Sequence, residues 1–285
     1  MVLGTANFGK KYGIRKLKSK KNYLILKTLL KNNINWLDTS GAYTNSEKII
    51  GNSRLNFNII SKNHFNFSYS LPKKKLRKKI KKIIEKSLTN LKRKKIYAFL
   101  IQKSGVLLSK NGEQIYEILK EYKKEKKILK IGVSTYNFKE LRKIIKKFKI
   151  DIVQAPFNIV NDELTKSGTL NFLKRKKIEV HVRSIFLQGI LLVKSKNLPK
   201  KLNFLKQHWI LLEKFYKKNS LTPIETCLRF VLSFRKIDKI VFGVDEVNQL
   251  KQILKSRINR VNLPFPKIEL KNKDVLSPIF WSKLK

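Results

Sequence analysis

Apolar residues along this chain fall into two alternating kinds of run. Short, unbroken runs at Val2–Leu3, Ile34–Leu37, Phe57–Ser61, Ala98–Ile101, Leu129–Val133, Ile152–Val153, Glu179–Val182 and Ile237–Phe242 predict buried strands. Longer, lysine-rich stretches with apolar residues every three or four positions predict amphipathic helices. These span Tyr23–Lys31, Lys73–Leu91, Glu113–Tyr122, Lys139–Phe148, Leu164–Arg175, Phe204–Lys217, Pro223–Ser233 and Val247–Leu254. In the second of them Ile80, Ile83, Ile84, Ser87 and Leu91 share one face. Thr222 before Pro223 reads as a helix cap followed by proline at the first helical position. Gly4, Gly9 and Gly13 suggest a glycine-rich loop after the first strand, and the tail from about Arg257 reads as irregular.

Strands that alternate with helices imply a parallel sheet covered on both faces. Eight strands close a (β/α)8 TIM barrel, and 285 residues suit one such domain with no linker in evidence. An open doubly wound sheet would carry GxGxxG after its first strand, and the glycines between Gly4 and Gly13 lack that spacing.

Polar residues stop the apolar runs in a regular way. Asp38, Lys62, Gln102, Ser134, Gln154 and Arg183 stand at the C-terminal ends of successive strands, the face on which this fold builds active sites. The stretch Trp36–Gly51 is the most informative. Asp38 ends a strand, Thr39–Ser40–Gly41–Ala42 forms a turn, Tyr43 follows, and Asn45–Ser46–Glu47 opens a helix. A tyrosine, with an ordinary pKa near ~10, is a poor acid at neutral pH unless its anion is stabilised. A neighbouring lysine ammonium supplies that stabilisation, and a buried carboxylate keeps the lysine charged. Asp38, Lys62 and Tyr43 provide the set, while Ser134 and Gln154 offer groups able to hold a carboxamide.

With these residues in view, the chain resembles the aldo-keto reductases from Leu3 to Leu254. The matching segments are Gly4–Thr5–Ala6–Asn7–Phe8–Gly9, Leu37 to Tyr43, Ile60–Ser61–Lys62 and Ile131–Gly132–Val133–Ser134, followed by Val153–Gln154, Arg183–Ser184 through Gly189, and Val241–Phe242–Gly243 with Gln249. The resemblance implies a barrel that binds NADPH or NADH without a Rossmann domain. It implies reduction of an aldehyde or ketone to an alcohol by hydride transfer, with Tyr43 as the acid, Lys62 tuning it and Asp38 orienting. Ser134 and Gln154 would hold the nicotinamide carboxamide, and Arg183 takes the place of an aromatic that stacks on its ring. Ser184 and the Phe186–Gly189 loop would approach the pyrophosphate. Gly4, Thr5, Gly243 and Gln249 complete the expected cofactor contacts.

Three departures qualify that expectation. Gln102 stands where the family places a catalytic histidine, and an amide cannot exchange a proton near neutrality. A catalytically weak or inactive cofactor-binding relative is therefore the alternative. His64 is expected on an exposed loop, with the pocket within its reach, and His181 as a satisfied core histidine. Gly243–Val244–Asp245–Glu246 puts carboxylates where, by the resemblance, a 2′-phosphate would lie, which gives NADH weight beside the NADPH that the family favours. Thr135 follows Ser134 in place of asparagine, and a hairpin ahead of the first strand is expected to be absent or very short. Tyr12, Phe157 and Phe186 suggest an apolar wall for a small-molecule carbonyl substrate.

The formal charge of +47 points first to polyanions. The lysines, however, run through every helix instead of gathering in one arm, so a solvated basic surface is expected, with no specific nucleic-acid partner. No run is long enough to span a membrane, no signal-peptide pattern opens the chain, and Cys227 is the only cysteine, which suits a reducing cytoplasm. No metal-ligand spacing is present.

Overall fold

The computed structural model describes residues 1–8, 21–65, 67, 71–256 and 263–270, with the backbone of 11–12, 15–16 and 19–20. Its centre is a closed barrel of parallel strands: β1 (Val2–Gly4), β2 (Trp36–Asp38), β3 (Asn58–His64), β4 (Ile96–Gln102), β5 (Ile128–Ser134), β6 (Ile152–Pro156), β7 (Glu179–Arg183) and β8 (Lys239–Gly243). Each strand pairs with its neighbours in sequence, and β8 closes on β1 with Val2 opposite Val241 and Gly4 opposite Gly243. This is the (β/α)8 barrel that the strand count predicts.

The strands are apolar on both faces because both are buried. Val2, Ile60, Ala98, Leu100, Ile152 and Val241 pack together in one cluster. Their sequence neighbours Leu3, Ile59, Phe99, Val153 and Phe242 join the larger cluster beneath the helices. The alternation identifies the first set as the filling of the barrel.

At the N-terminal ends of the strands a polar group closes the floor. Glu179 accepts hydrogen bonds from Tyr97 Oη (2.7 Å) and Lys130 Nζ, and its Oε1 lies 2.7 Å from His181 Nε2. Lys239 Nζ sits 3.8 Å from the centroid of the Trp36 ring, which meets Tyr97 edge to face. Burial opposes the Glu179 charge, but the bonds from His181, Lys130 and Tyr97 outweigh it and hold the carboxyl well below its ordinary range. His181 is fully buried, as expected of a core histidine, although its Nδ1 has no partner.

The helices on the outside are α1 (Ser19–Lys31), α2 (Ser46–Ser53), α3 (Lys73–Leu91), α4 (Gly112–Lys124), α5 (Phe138–Lys147), α6 (Glu163–Lys166), α7 (Thr169–Arg175), α8 (Lys206–Lys218), α9 (Pro223–Leu232) and α10 (Val247–Lys255). α3 keeps its predicted bounds and buries Leu76, Ile80, Ile84, Ser87, Leu88 and Leu91. Gly51 lets α2 reach α3, since a Cβ there would run into the Asn90 carbonyl. Thr222 caps α9 in a full capping box with Glu225, with proline at the start of the helix. The single helix expected over Leu164–Arg175 is instead two, α6 and α7. Gly168, at φ 66°, adopts the left-handed conformation that glycine tolerates and breaks the period.

Gly9, Gly13 and the side chain of Tyr12 lie outside the described residues, as does most of the tail. Residues 263–270 have no regular structure. Among the described residues no helix is long and apolar enough to cross a membrane.

Candidate active site

The C-terminal ends of the strands open into a cleft of 2160 Å³. Five of the six expected strand-end residues, Asp38, Lys62, Gln102, Ser134 and Arg183, line it together with Tyr43, whereas Gln154 does not.

The geometry there is built from β2, β3 and the loop between β2 and α2. Lys62 Nζ is hydrogen-bonded to Asp38 Oδ1 and donates to the Thr39 carbonyl at 3.1 Å. The other Asp38 oxygen, Oδ2, accepts from Gln154 Nε2 at 2.7 Å. Lys62 Nζ lies 5.2 Å from the centroid of the Tyr43 ring. Burial alone would lower the Lys62 pKa. The Asp38 carboxylate, through its charge and its hydrogen bond, and the neighbouring Tyr43 more than offset it, Arg183 pulls weakly the other way, and the ammonium ends above its ordinary value. Lys62 is therefore a fixed cation at neutral pH.

The loop that carries Tyr43 is tied down by groups of the turn before it and of the helix opening after it. Ser40 Oγ donates to the Lys62 carbonyl (2.8 Å), and Gly41 N–H donates to the same oxygen (3.1 Å). Ser46 turns inward, donates to the Thr5 carbonyl and meets the Thr5 and Thr39 hydroxyls. Glu47, also buried, accepts from Ser61 Oγ at 2.7 Å. Tyr43 is thus anchored to the strand that carries Lys62.

Other expected residues divide between the wall and the layer behind it. Gly4, Ser134, Arg183, Ser184, Phe186, Gly189, Gly243 and Gln249 are on the wall. Thr5 and Gln154 are fully buried behind it, Thr5 bonded to the Asp38 carbonyl and Ser46, Gln154 to the Asp38 carboxylate. Gln154 keeps one buried acceptor, Oε1, without a partner. Phe157 is not part of an apolar wall: it is buried against Phe230 and Phe234. His64 is not on a loop either. β3 runs on past Lys62, so His64 is a half-buried strand residue on the cleft, paired in register with Gln102.

Tyr136 is a wall residue that sequence reasoning missed. The Arg183 guanidinium stacks over its ring at 4.2 Å and donates to its hydroxyl at 2.9 Å. Nothing in the sequence links the two positions, because the contact spans the barrel mouth from β5 to β7. Ser184, at φ 60°, is held by Asn158 Nδ2 on its carbonyl (2.9 Å). Asn7 donates to Asp245 Oδ1, and Gln249 Oε1 accepts from the Asp245 N–H at 2.7 Å, so the loop after β8 is locked to the loop after β1.

The barrel with this constellation at its mouth invites comparison with known proteins. The aldo/keto reductase family profile matches residues 1–269. The chain belongs to the aldo/keto reductase family. A search of curated proteins gave no match. Among solved structures, an aldo-keto reductase from Bacillus halodurans in its holo form is 17% identical, with a TM-score of 0.75 over 92% of this chain and 88% of that one. A thermostable aldo-keto reductase in complex with the inhibitor epalrestat is 20% identical, with a TM-score of 0.69 over 100% of this chain and 94% of that one. At those identities the likeness speaks for the fold.

This aldo/keto reductase is accordingly an oxidoreductase, of a family that uses nicotinamide cofactors on small carbonyl compounds. Within it, Gln102 accepts from Ser40 Oγ at 3.4 Å, which directs the amide nitrogen away from Ser40. Among the described residues no group of three His, Cys, Asp or Glu side chains is placed to hold a metal. Cys227 is buried, and burial pushes its thiol up to about 12, so it offers no nucleophile.

Proposed function

We propose that this protein reduces an aldehyde or ketone to an alcohol with a nicotinamide cofactor, and that Tyr43 is the general acid. The observation that carries this is Lys62, a buried ammonium held by Asp38 and facing the Tyr43 ring. A cation fixed there stabilises the negative charge left on the tyrosine oxygen while its proton passes to the substrate oxygen. Asp38 keeps Lys62 charged and aimed, and Gln154 fixes Asp38 from behind.

The wall fits a nicotinamide dinucleotide. Gly4 and Gly243 face each other in register at the mouth and leave it clear of side chains there. Ser134 on the wall and the unpartnered Gln154 Oε1 behind it suit a carboxamide. The Ser184–Gly189 turn, with Gly189 at φ 88°, suits phosphate groups, and the Arg183–Tyr136 stack offers a flat face. Bound there, the cofactor would supply hydride to the carbonyl carbon. The residues on this chain orient the carbonyl, deliver its proton and exclude water. A cytoplasmic, single-barrel enzyme without a nucleic-acid or membrane role completes the reading.

Gln102 favours a second reading, a cofactor-binding barrel without turnover, because its amide does not exchange protons near neutrality. Titration with NADH and NADPH, followed by a panel of aldehydes and ketones with the better-bound one, separates the two. Turnover of any carbonyl supports the reductase, whereas tight cofactor binding with no turnover supports the second reading.

A further inference from the structure

His64 is the one imidazole on the cleft among the described residues. His181 is buried near the barrel floor, and His208 lies on α8. His64 stands two positions after Lys62 on β3, so both side chains leave the same face of the strand. Across the ladder its partner is Gln102. The Gln102 carbonyl is already engaged by Ser40, which leaves the amide N–H groups as what that residue offers the cleft. His64 Nδ1 is buried and without a partner. A bare lone pair is tolerated there better than a bare N–H. The proton therefore belongs on Nε2, and the imidazole can act as a donor towards the cleft.

We propose that His64 is a further catalytic residue of this site: its Nε2–H, together with the Gln102 amide, donates to the substrate carbonyl oxygen and stabilises the negative charge that develops on it. This rests on the carbonyl-reductase reading above. Two preset donors aimed at a developing oxyanion are an effective use of hydrogen bonding in a site partly shielded from water. His64 also restores to this pocket a group that can exchange a proton near neutrality, which Gln102 cannot.

The surroundings keep the imidazole neutral at pH 7. Partial burial first, and then the Lys103 ammonium after β4, lower its pKa. Lys62 on its own strand and Arg183 on β7 add positive charge at the same mouth. Asp38 on β2 is committed to Lys62 and Gln154, and Glu140 on α5 accepts from Ser104. As the pH falls through a value below 6.5, His64 gains a charge that would strengthen its hold on the oxyanion, so reduction should quicken.

The test has two arms. On the unsubstituted protein, 15N NMR of the imidazole should show the neutral Nε2–H form at pH 7, and an Nδ1–H or cationic ring would overturn the proposal. In kinetics, His64→Gln and His64→Ala should lower kcat/KM for reduction by about tenfold to a hundredfold, with cofactor affinity little changed. Both should also lose the rise at acid pH. An active wild type with variants within about twofold of it and the same pH profile contradicts the role of His64 while leaving the reductase reading intact. A wild type that reduces no carbonyl removes both.

Discussion

The Lys62 ammonium lies 5.2 Å from the centre of the Tyr43 ring while bonded on its other side to Asp38. Tyr43 comes from a loop and Lys62 from a strand, and the relation survives because the loop is tied to the Lys62 carbonyl through Ser40 and Gly41. Tyr43 and Lys62 are therefore held in a fixed relation to one another.

Removing one partner of the buried pair should be costly. Lys62→Met leaves the Asp38 carboxyl nearly inaccessible and held by Gln154 alone. Loss of one half of a buried ion pair costs about 3–5 kcal/mol. Chemical denaturation should show a loss of that size, and a smaller one for Lys62→Met combined with Asp38→Asn. A loss under about 1 kcal/mol for the single variant would mean that the pair is effectively solvated.

The barrel floor should set part of the acid limit of the fold. The folded pKa of Glu179 lies below its ordinary 4.5, so its contribution is fully present above that value and is lost as pH falls through the folded one. Thermal midpoints measured down through pH 4.5 should fall more steeply for the wild type than for Glu179→Gln. Parallel curves would show that Glu179 contributes nothing to acid sensitivity.

Cofactor choice should respond to Asp245. Its carboxylate lies on the cleft wall and is positioned by Asn7, with Gln249 bound to its backbone. Two unit charges about 4 Å apart in water interact by about 1 kcal/mol, so Asp245→Asn should favour NADPH over NADH by about fivefold relative to the wild type. Unchanged relative affinities would mean that the 2′-phosphate does not approach this loop.

Much of this was legible in the sequence because strand ends and helix faces are local patterns. Asp38, Lys62, Gln102, Ser134 and Arg183 are marked by where apolar runs stop, and Thr222–Pro223 by capping chemistry. What was not legible depends on which way a side chain turns or on contacts across the barrel. Gln154 lies inside β6, which runs on to Pro156, and not at its end as expected; it and Thr5 both turn inward to bond Asp38. Phe157 fills the core, and Tyr136 meets Arg183 across the barrel mouth from the loop after β5. His64 was misplaced because the apolar signal of β3 ends at Ser61, while ladder pairing carries the strand to His64. Gly168 breaks a helix that periodicity alone joins.

The most direct test of the central claim compares the wild type with Tyr43→Phe. The measurement is consumption of NADH or NADPH against a broad panel of aldehydes, with cofactor binding followed in parallel. Tyr43→Phe should abolish reduction while cofactor affinity stays within about threefold. Equal turnover by the two proteins would contradict the assignment of Tyr43 as the acid.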